Sequence, residues 1–236
     1  MASPTDRPKR FYKTVGVEPL DDGFRIKLDH RPLKTPAGKA FALPTRALAE
    51  QVAAEWEAQE GAIDTSAMPI SRLAFTAIDR GSEVRAELAE EFARYAGSDV
   101  LCYRAEHPAA LVQREAAEWD PWLDWAGGEG IALHTTAGIG HKAQPEASLE
   151  RAQALALEMD DFRLTGLVAG TALFGSAVLA LAVVRGALTG EGALAVATLD
   201  ERFQAEQWGL DEEAAARVAA HQAEAGVLEN WFKALS

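Results

Sequence analysis

"LTGLVAGTALFGSAVLALAVV", Leu164–Val184, carries no charge and is closed on either side by Arg163 and Arg185. Its length matches the roughly 20 apolar residues that a helix needs to cross a bilayer. Its composition points elsewhere. Ten of its twenty-one residues are Leu, Val or Phe, but Gly166, Gly170, Gly175, Thr165, Thr171 and Ser176 interrupt them, and the sequence offers no second span to pair with. Gly166 and Gly170 make a GxxxG, which brings helices close together in membranes and in soluble domains alike. Helices that are apolar all round also occupy the centre of soluble helical domains. Acidic, Ala-rich stretches on both sides can supply the cover. The expectation is therefore a buried helix over about 164–187, with no integral membrane span.

Working outward, the whole chain of 236 residues is 48% hydrophobic, enough for one large domain or two small ones with real cores. Its net charge of −13 disfavours nucleic-acid binding, which needs clustered Lys and Arg. A lone cysteine, Cys102, permits no internal disulfide and fits a reducing compartment. The opening "MASPTDRPKRFYK" is basic but leads into no apolar run, so it does not read as a secretory signal, and a bacterial cytoplasm is the simplest setting.

Two textures succeed one another along the chain. Residues up to about 43 read as β: "FYKTVGVEPL" and "FRIKLD" flank the turn Asp21-Asp22-Gly23, and Phe24, Ile26 and Leu28 alternate as on a sheet with one covered face. From Thr45, a plausible N-cap, the period changes: Leu48, Val52 and Trp56 recur every four residues along one helical face. A further helix is expected over about Met68–Asp79, and another from Ser82 through Val84, Leu88, Phe92 and Tyr95. "DVLCYRAE" suits a short strand, and Pro108 opens a helix that continues or restarts at "WDPWLDWA". The Gly-rich "GGEGIALHTTAGIGHKAQP" suggests a domain boundary, giving an N-terminal domain over 1–130, with its sheet at about 8–43, and a helical C-terminal domain over 131–236. Helices are expected there at about 145–161, 164–187, 191–208 and 211–224, with a short last one. The fold class is α+β: a small N-terminal β-containing domain followed by a mainly α-helical C-terminal domain.

Catalytic signatures do not emerge. His30, His107, His134, His141 and His221 never share metal-ligand spacing, and there is no GxSxG or phosphate-binding GxxxxGK[ST]. "GIGHKA" at Gly138–Ala143 matches GxGxxA formally, but Pro145 delays the helix that a dinucleotide fingerprint must open. No cofactor or metal is expected. An acidic small-molecule enzyme using Glu55 and Asp120 is the alternative class, since a desolvated carboxylate can serve as a general acid.

One helix is unusual. In "EGALAVATLDERFQAEQWGLDEE", at 100° per residue, Leu194, Thr198, Glu201, Ala205 and Trp208 fall within about 80° of arc, while Val196, Leu199 and Phe203 lie on the other side. Only one apolar stripe need face the core. Either the outer face presents Glu201 between Leu194 and Trp208 to a partner, or both stripes are internal and Glu201 is a buried structural acid.

"LDERFQAEQWG" is also where a resemblance enters. Together with "PLKTPAGKAFALP", "LAEQVAAEWEAQ", "MPISRLAFTAID", "YAGSDVLCYRAE", "LVQREAAEWDPWLDW" and "FGSAVLALAVV", in that order, it resembles the assembly chaperones of the ATP synthase alpha subunit. The resemblance implies a non-enzymatic escort that binds the free alpha subunit of the catalytic sector until it assembles. It maps the family's important acid onto Glu201, with Gln204 and Trp208 as companions and Trp56 in the "EW..Q" motif. Leu194 joins these as a partner-binding residue on the helical-wheel argument alone.

Overall fold

The computed structural model describes residues 7–138 and 140–236. Met1–Asp6, which carry part of the reading of the N-terminus, and Ile139 of the GxGxxA match lie outside the described residues. The chain forms two compact units. One ends at Glu83 and takes back Lys233–Ser236; the other runs from Val84 to Phe232. Where the sequence suggests a boundary near residue 130, the units divide at Val84.

The first unit is built on the hairpin β1 (Val15–Leu20) and β2 (Gly23–Leu28), antiparallel from Val15 opposite Leu28 to Leu20 opposite Gly23. Strands β3 (Arg31–Pro32) and β4 (Ala42–Leu43) pair with opposite ends of β2. The expected alternation is realised, with Ile26 and Leu28 buried. Gly23 is required twice over: its φ is 137°, and a Cβ there would lie 2.4 Å from the Leu43 carbonyl oxygen. Helix α1 (Arg46–Glu57) packs Leu48, Ala49, Val52 and Trp56 onto this sheet. Thr45 caps it, its hydroxyl accepting from the Leu48 amide at 3.1 Å.

Helix α2 spans Pro69–Ala96 without the expected gap at Ser82, because the break is one residue deep: Val84 leaves helical geometry (φ −117°, ψ 16°) and the hydrogen-bonded turns resume beyond it. Glu55 secures the start of α2, accepting from the Ile70 amide at 2.8 Å and from the Ser71 amide and hydroxyl at 2.7 and 2.6 Å.

The quoted apolar stretch lies in the second unit as two helices, α5 (Asp161–Phe174) and α6 (Ala177–Val184). Gly175 turns left-handed (φ 60°) and ends α5, and the Ser176 hydroxyl accepts from the Leu179 amide at 3.0 Å to start α6. That corrects the single helix expected over 164–187. Each half is too short to cross a bilayer, and among the described residues no helix is long and apolar enough to do so. A buried carboxylate fixes the corner: Asp99 accepts from the Ser176 hydroxyl at 2.9 Å and from the Val178 and Leu101 amides at 3.0 and 3.1 Å. Burial nonetheless pushes its carboxyl up to about 6, ahead of the lowering from these donors.

Around this pair stand α3 (Ala109–Gly128), α4 (Glu146–Leu157), α7 (Gly190–Ala197), α8 (Leu199–Trp208) and α9 (Glu212–Ala234). The GxxxG works within the protein: a Cβ on Gly166 would meet Trp231 Nε1 at 2.6 Å, so α9 seats its aromatic residues directly on α5. Pro121 sits inside α3, which runs on through it. The short β5 (Tyr103–Arg104) and β6 (Thr136–Ala137) pair in parallel, so part of the Gly-rich stretch is held within this unit. Cys102 is buried there, its thiol pushed up to about 12 chiefly by burial and then by Asp99, as befits an inert side chain. In place of a helix over 211–224 and a short last one, α9 is continuous.

Candidate functional site

The expected helix over 191–208 is also two. Thr198 departs from helical geometry (φ −100°, ψ 26°), its hydroxyl donating to the Leu194 carbonyl at 2.8 Å, and α8 starts afresh. The break turns α8 relative to α7, so a single wheel over both helices misplaces Leu194 and Trp208 with respect to each other.

Helix α8 is held to α3 mainly by polar groups. Leu199 is its buried apolar anchor, with Phe203 half-buried. Arg114 reaches Glu206 at 2.7 Å and Glu118 at 3.0 Å, and Arg202 reaches Glu118 at 3.2 Å. Trp119 Nε1 donates to the Val196 carbonyl at 2.8 Å, just before the break. Glu115 is buried and accepts from the Ala105 amide through both oxygens, at 3.1 and 2.9 Å. Burial pushes its carboxyl up to about 7; the neighbouring Asp200 carboxyl raises it further, while the Ala105 amide and Arg104 oppose the shift.

Each residue singled out from sequence has a definite place. Glu201 is exposed, and no hydrogen bond or ion pair among the described residues engages its carboxylate. Gln204 is exposed beside it, and Trp208 is 79% exposed at the end of α8. Leu194 is only 5% exposed; it is a buried side chain lining a groove. Trp56 lies in the first unit, buried against Tyr12, whose hydroxyl donates to the Trp56 carbonyl at 2.7 Å, while Trp56 Nε1 finds no acceptor among the described residues. The acids of the enzymatic alternative are occupied: Glu55 holds the start of α2, and Asp120 pairs with Arg104 at 2.7 Å.

A groove of about 320 Å³ runs between α7, α8 and α9. Leu194, Ala195, Ala205, Leu210 and Val218 give it apolar walls, and Glu191 and Glu201 stand on the α7–α8 side. Arg217 and His221 face them from α9. Leu210 is 54% exposed, continuing the surface that Trp208 begins. Helix α9 buries none of its side chains between Glu212 and Glu224; its buried positions begin at Ala225. Exposed aromatic and aliphatic side chains on helices with so little cover make this face a candidate interaction surface.

Sequence reasoning missed Glu191, Leu210, Arg217, Val218 and His221 as one group. The available signal was weak: "AAARVAAHQ" has one large apolar residue, and Leu210 follows Gly209, whose φ of 77° aims the chain into α9.

The ATP12 chaperone protein family matches residues 9–127. The chain belongs to the ATP12 chaperone family. The crystal structure of Atp12 from Paracoccus denitrificans superposes with a TM-score of 0.91 at 38% identity, over 97% of this chain and 99% of that one. The Atu1473 protein of Agrobacterium tumefaciens gives 0.89 at 42% identity, over 97% of this chain and 87% of that one. Mitochondrial atp12 of Schizosaccharomyces pombe is 26% identical over 229 residues, 90% of this chain and 78% of its own length. The family match ends within α3, whereas the ATP12 structural likeness extends over the C-terminal helices that form the groove.

Proposed function

We propose that this ATP12-family chaperone binds the free alpha subunit of the ATP synthase catalytic sector and promotes its assembly, in the bacterial cytoplasm and without ATP hydrolysis. An unassembled subunit exposes apolar interface, and exposed interface drives aggregation. An escort has to cover that surface and later give way to the true partner, which calls for moderate affinity, about 0.1–10 μM. The observation that carries this reading is Trp208 and Leu210, 79% and 54% exposed, beside a Glu201 carboxylate that no described residue engages. An aromatic supplies contact area at low entropic cost, and a single charge fixes register. The net charge of −13 favours solubility while the client is held. Trp56, buried in the first unit, supports the fold of that unit under this reading.

The test is direct. The purified chain mixed with isolated alpha subunit should co-elute in size-exclusion chromatography with a dissociation constant in that micromolar range, and added beta subunit should displace it. Alpha subunit that elutes alone at tens of micromolar chaperone would sink the proposal.

A further inference from the structure

The groove between α7, α8 and α9 has features that say what kind of segment fits it. Its walls are helices, whose backbone groups are satisfied internally, and none of the described strands borders it. An extended segment laid there would find no ladder to complete its N–H and C=O groups. A helix brings its own backbone hydrogen bonds and needs only side-chain complementarity. The apolar walls of Leu194, Ala205, Leu210 and Val218 suit one apolar stripe of such a helix.

The charges are sorted by wall. Glu191 and Glu201 belong to α7 and α8; Arg217 and His221 belong to α9. No ion pair among the described residues engages Glu191, Glu201 or Arg217, so the groove keeps opposite charges apart instead of neutralising them. Nearby cations differ: Arg114 is committed to Glu118 and Glu206, and Arg202 to Glu118. Arg202 keeps one unused group, since its Nε is buried without an acceptor while the residue lines the groove.

Resting on the chaperone reading above, we propose that this groove receives an amphipathic helix of the client, its apolar stripe bordered by Lys or Arg on one side and by Asp or Glu on the other. The basic border lies along Glu191 and Glu201, and the acidic border along Arg217 and His221.

A designed probe separates this from the capture of any particular client. A stapled helix with a Leu stripe, a Lys border and a Glu border is titrated into the full-length chain by calorimetry. The parent chain should bind it at least tenfold more tightly than a helix with both borders acidic. Glu201→Lys and Arg217→Glu, tested separately, each make the walls alike and should each weaken the mixed helix about tenfold. The double variant should recover most of that loss, because a helix reversed end for end exchanges its borders; a spin label at one peptide terminus should report the reversal. These positions bear no buried contacts, and circular dichroism of each variant confirms the fold.

Equal binding of mixed and acidic helices overturns the proposal. So does single-variant binding unchanged from the parent, or a concentration-dependent dimer of the chain in sedimentation that the helix cannot dissociate. Failure of alpha-subunit capture with correct helix discrimination instead overturns the client assignment and leaves the groove's chemistry standing.

Discussion

Two helical regions of the second unit, α5–α6 and α8 with the first half of α9, are both rich in Ala, and the protein treats them oppositely. In α5–α6 most large apolar side chains are buried and the rest are half-buried, and α6 is buried from Ala177 to Val183. In α8 and the first half of α9, Leu199 is the one buried residue through Glu224. The difference is not hydrophobic content alone, since Trp208 and Leu210 are as apolar as anything in α6. It lies in what surrounds them. Helix α6 has α3, α5 and α7 against it, whereas α8 meets α3 through ion pairs that leave its far side open. One hairpin holds the unit together, and the other keeps its outer side uncovered.

The sharpest way to break this comparison is to damage the buried hairpin. Leu181 in α6 has no exposure, and Leu181→Ala removes packing on every side. It should cost about 2–5 kcal/mol of stability, read as a lower urea midpoint. Gly166→Ala comes next. A methyl 2.6 Å from Trp231 Nε1 forces α9 away from α5, for about 1–3 kcal/mol. A melting temperature unchanged by either substitution would mean that α5–α6 does not support the unit.

The junction between the two regions is tested by pH. Glu115 meets Asp200 where α8 leans on α3, and its carboxyl is pushed from an ordinary 4.5 up to about 7. A raised carboxyl is a stabilising proton site: its contribution is complete below about 4.5 and is lost as pH rises through about 7. Glu115→Gln keeps an acceptor for the Ala105 amide and stays neutral beside Asp200 at every pH. The variant should match the parent at pH 4.5 and exceed it by roughly 1–3 kcal/mol at pH 8, measured as urea midpoints at both values. Asp99, raised to about 6, titrates with the same sign in parent and variant, so it cancels in the difference. A variant weaker than the parent at pH 8 would show that the ionised pair is tolerated.

How much of this contrast could be read from the chain depends on the kind of signal. The hairpin of β1 and β2 follows from alternation and from Asp21-Asp22-Gly23, both local. The burial of Leu164–Val184 follows from its lack of charge. Its division at Gly175-Ser176 was harder to see, because glycine and serine inside an apolar run also fit a continuous helix. Only the distant Asp99, which accepts from Ser176 and the Val178 amide, makes the corner firm. The helical wheel alone leaves the exposure of Glu201 open, and the break at Thr198 removes the wheel's premise. Arg217 and His221 were invisible as site residues, since nothing in "AAARVAAHQ" indicates that α9 folds back along α8.

The smallest expected effect on stability is also the one that best sharpens the comparison. Trp208→Ala removes a large aromatic from a position 79% exposed and bound to nothing in the chain's core. Surface substitutions away from special features change stability by about 0.5 kcal/mol or less, so its unfolding midpoint should stay with the parent's. Alpha-subunit capture should nevertheless fall about tenfold or more, as for an aromatic at the centre of an interface. Glu201→Gln should behave alike, silent in melting and weaker in capture, because its carboxylate bonds to none of the described residues. If either substitution melts the protein instead, α8 carries structural weight that its exposure conceals. If both leave capture intact, the open side of α8 is not where the client sits. A residue can be exposed because nothing needs it or because something outside the chain does, and only a loss of binding without a loss of stability tells these apart.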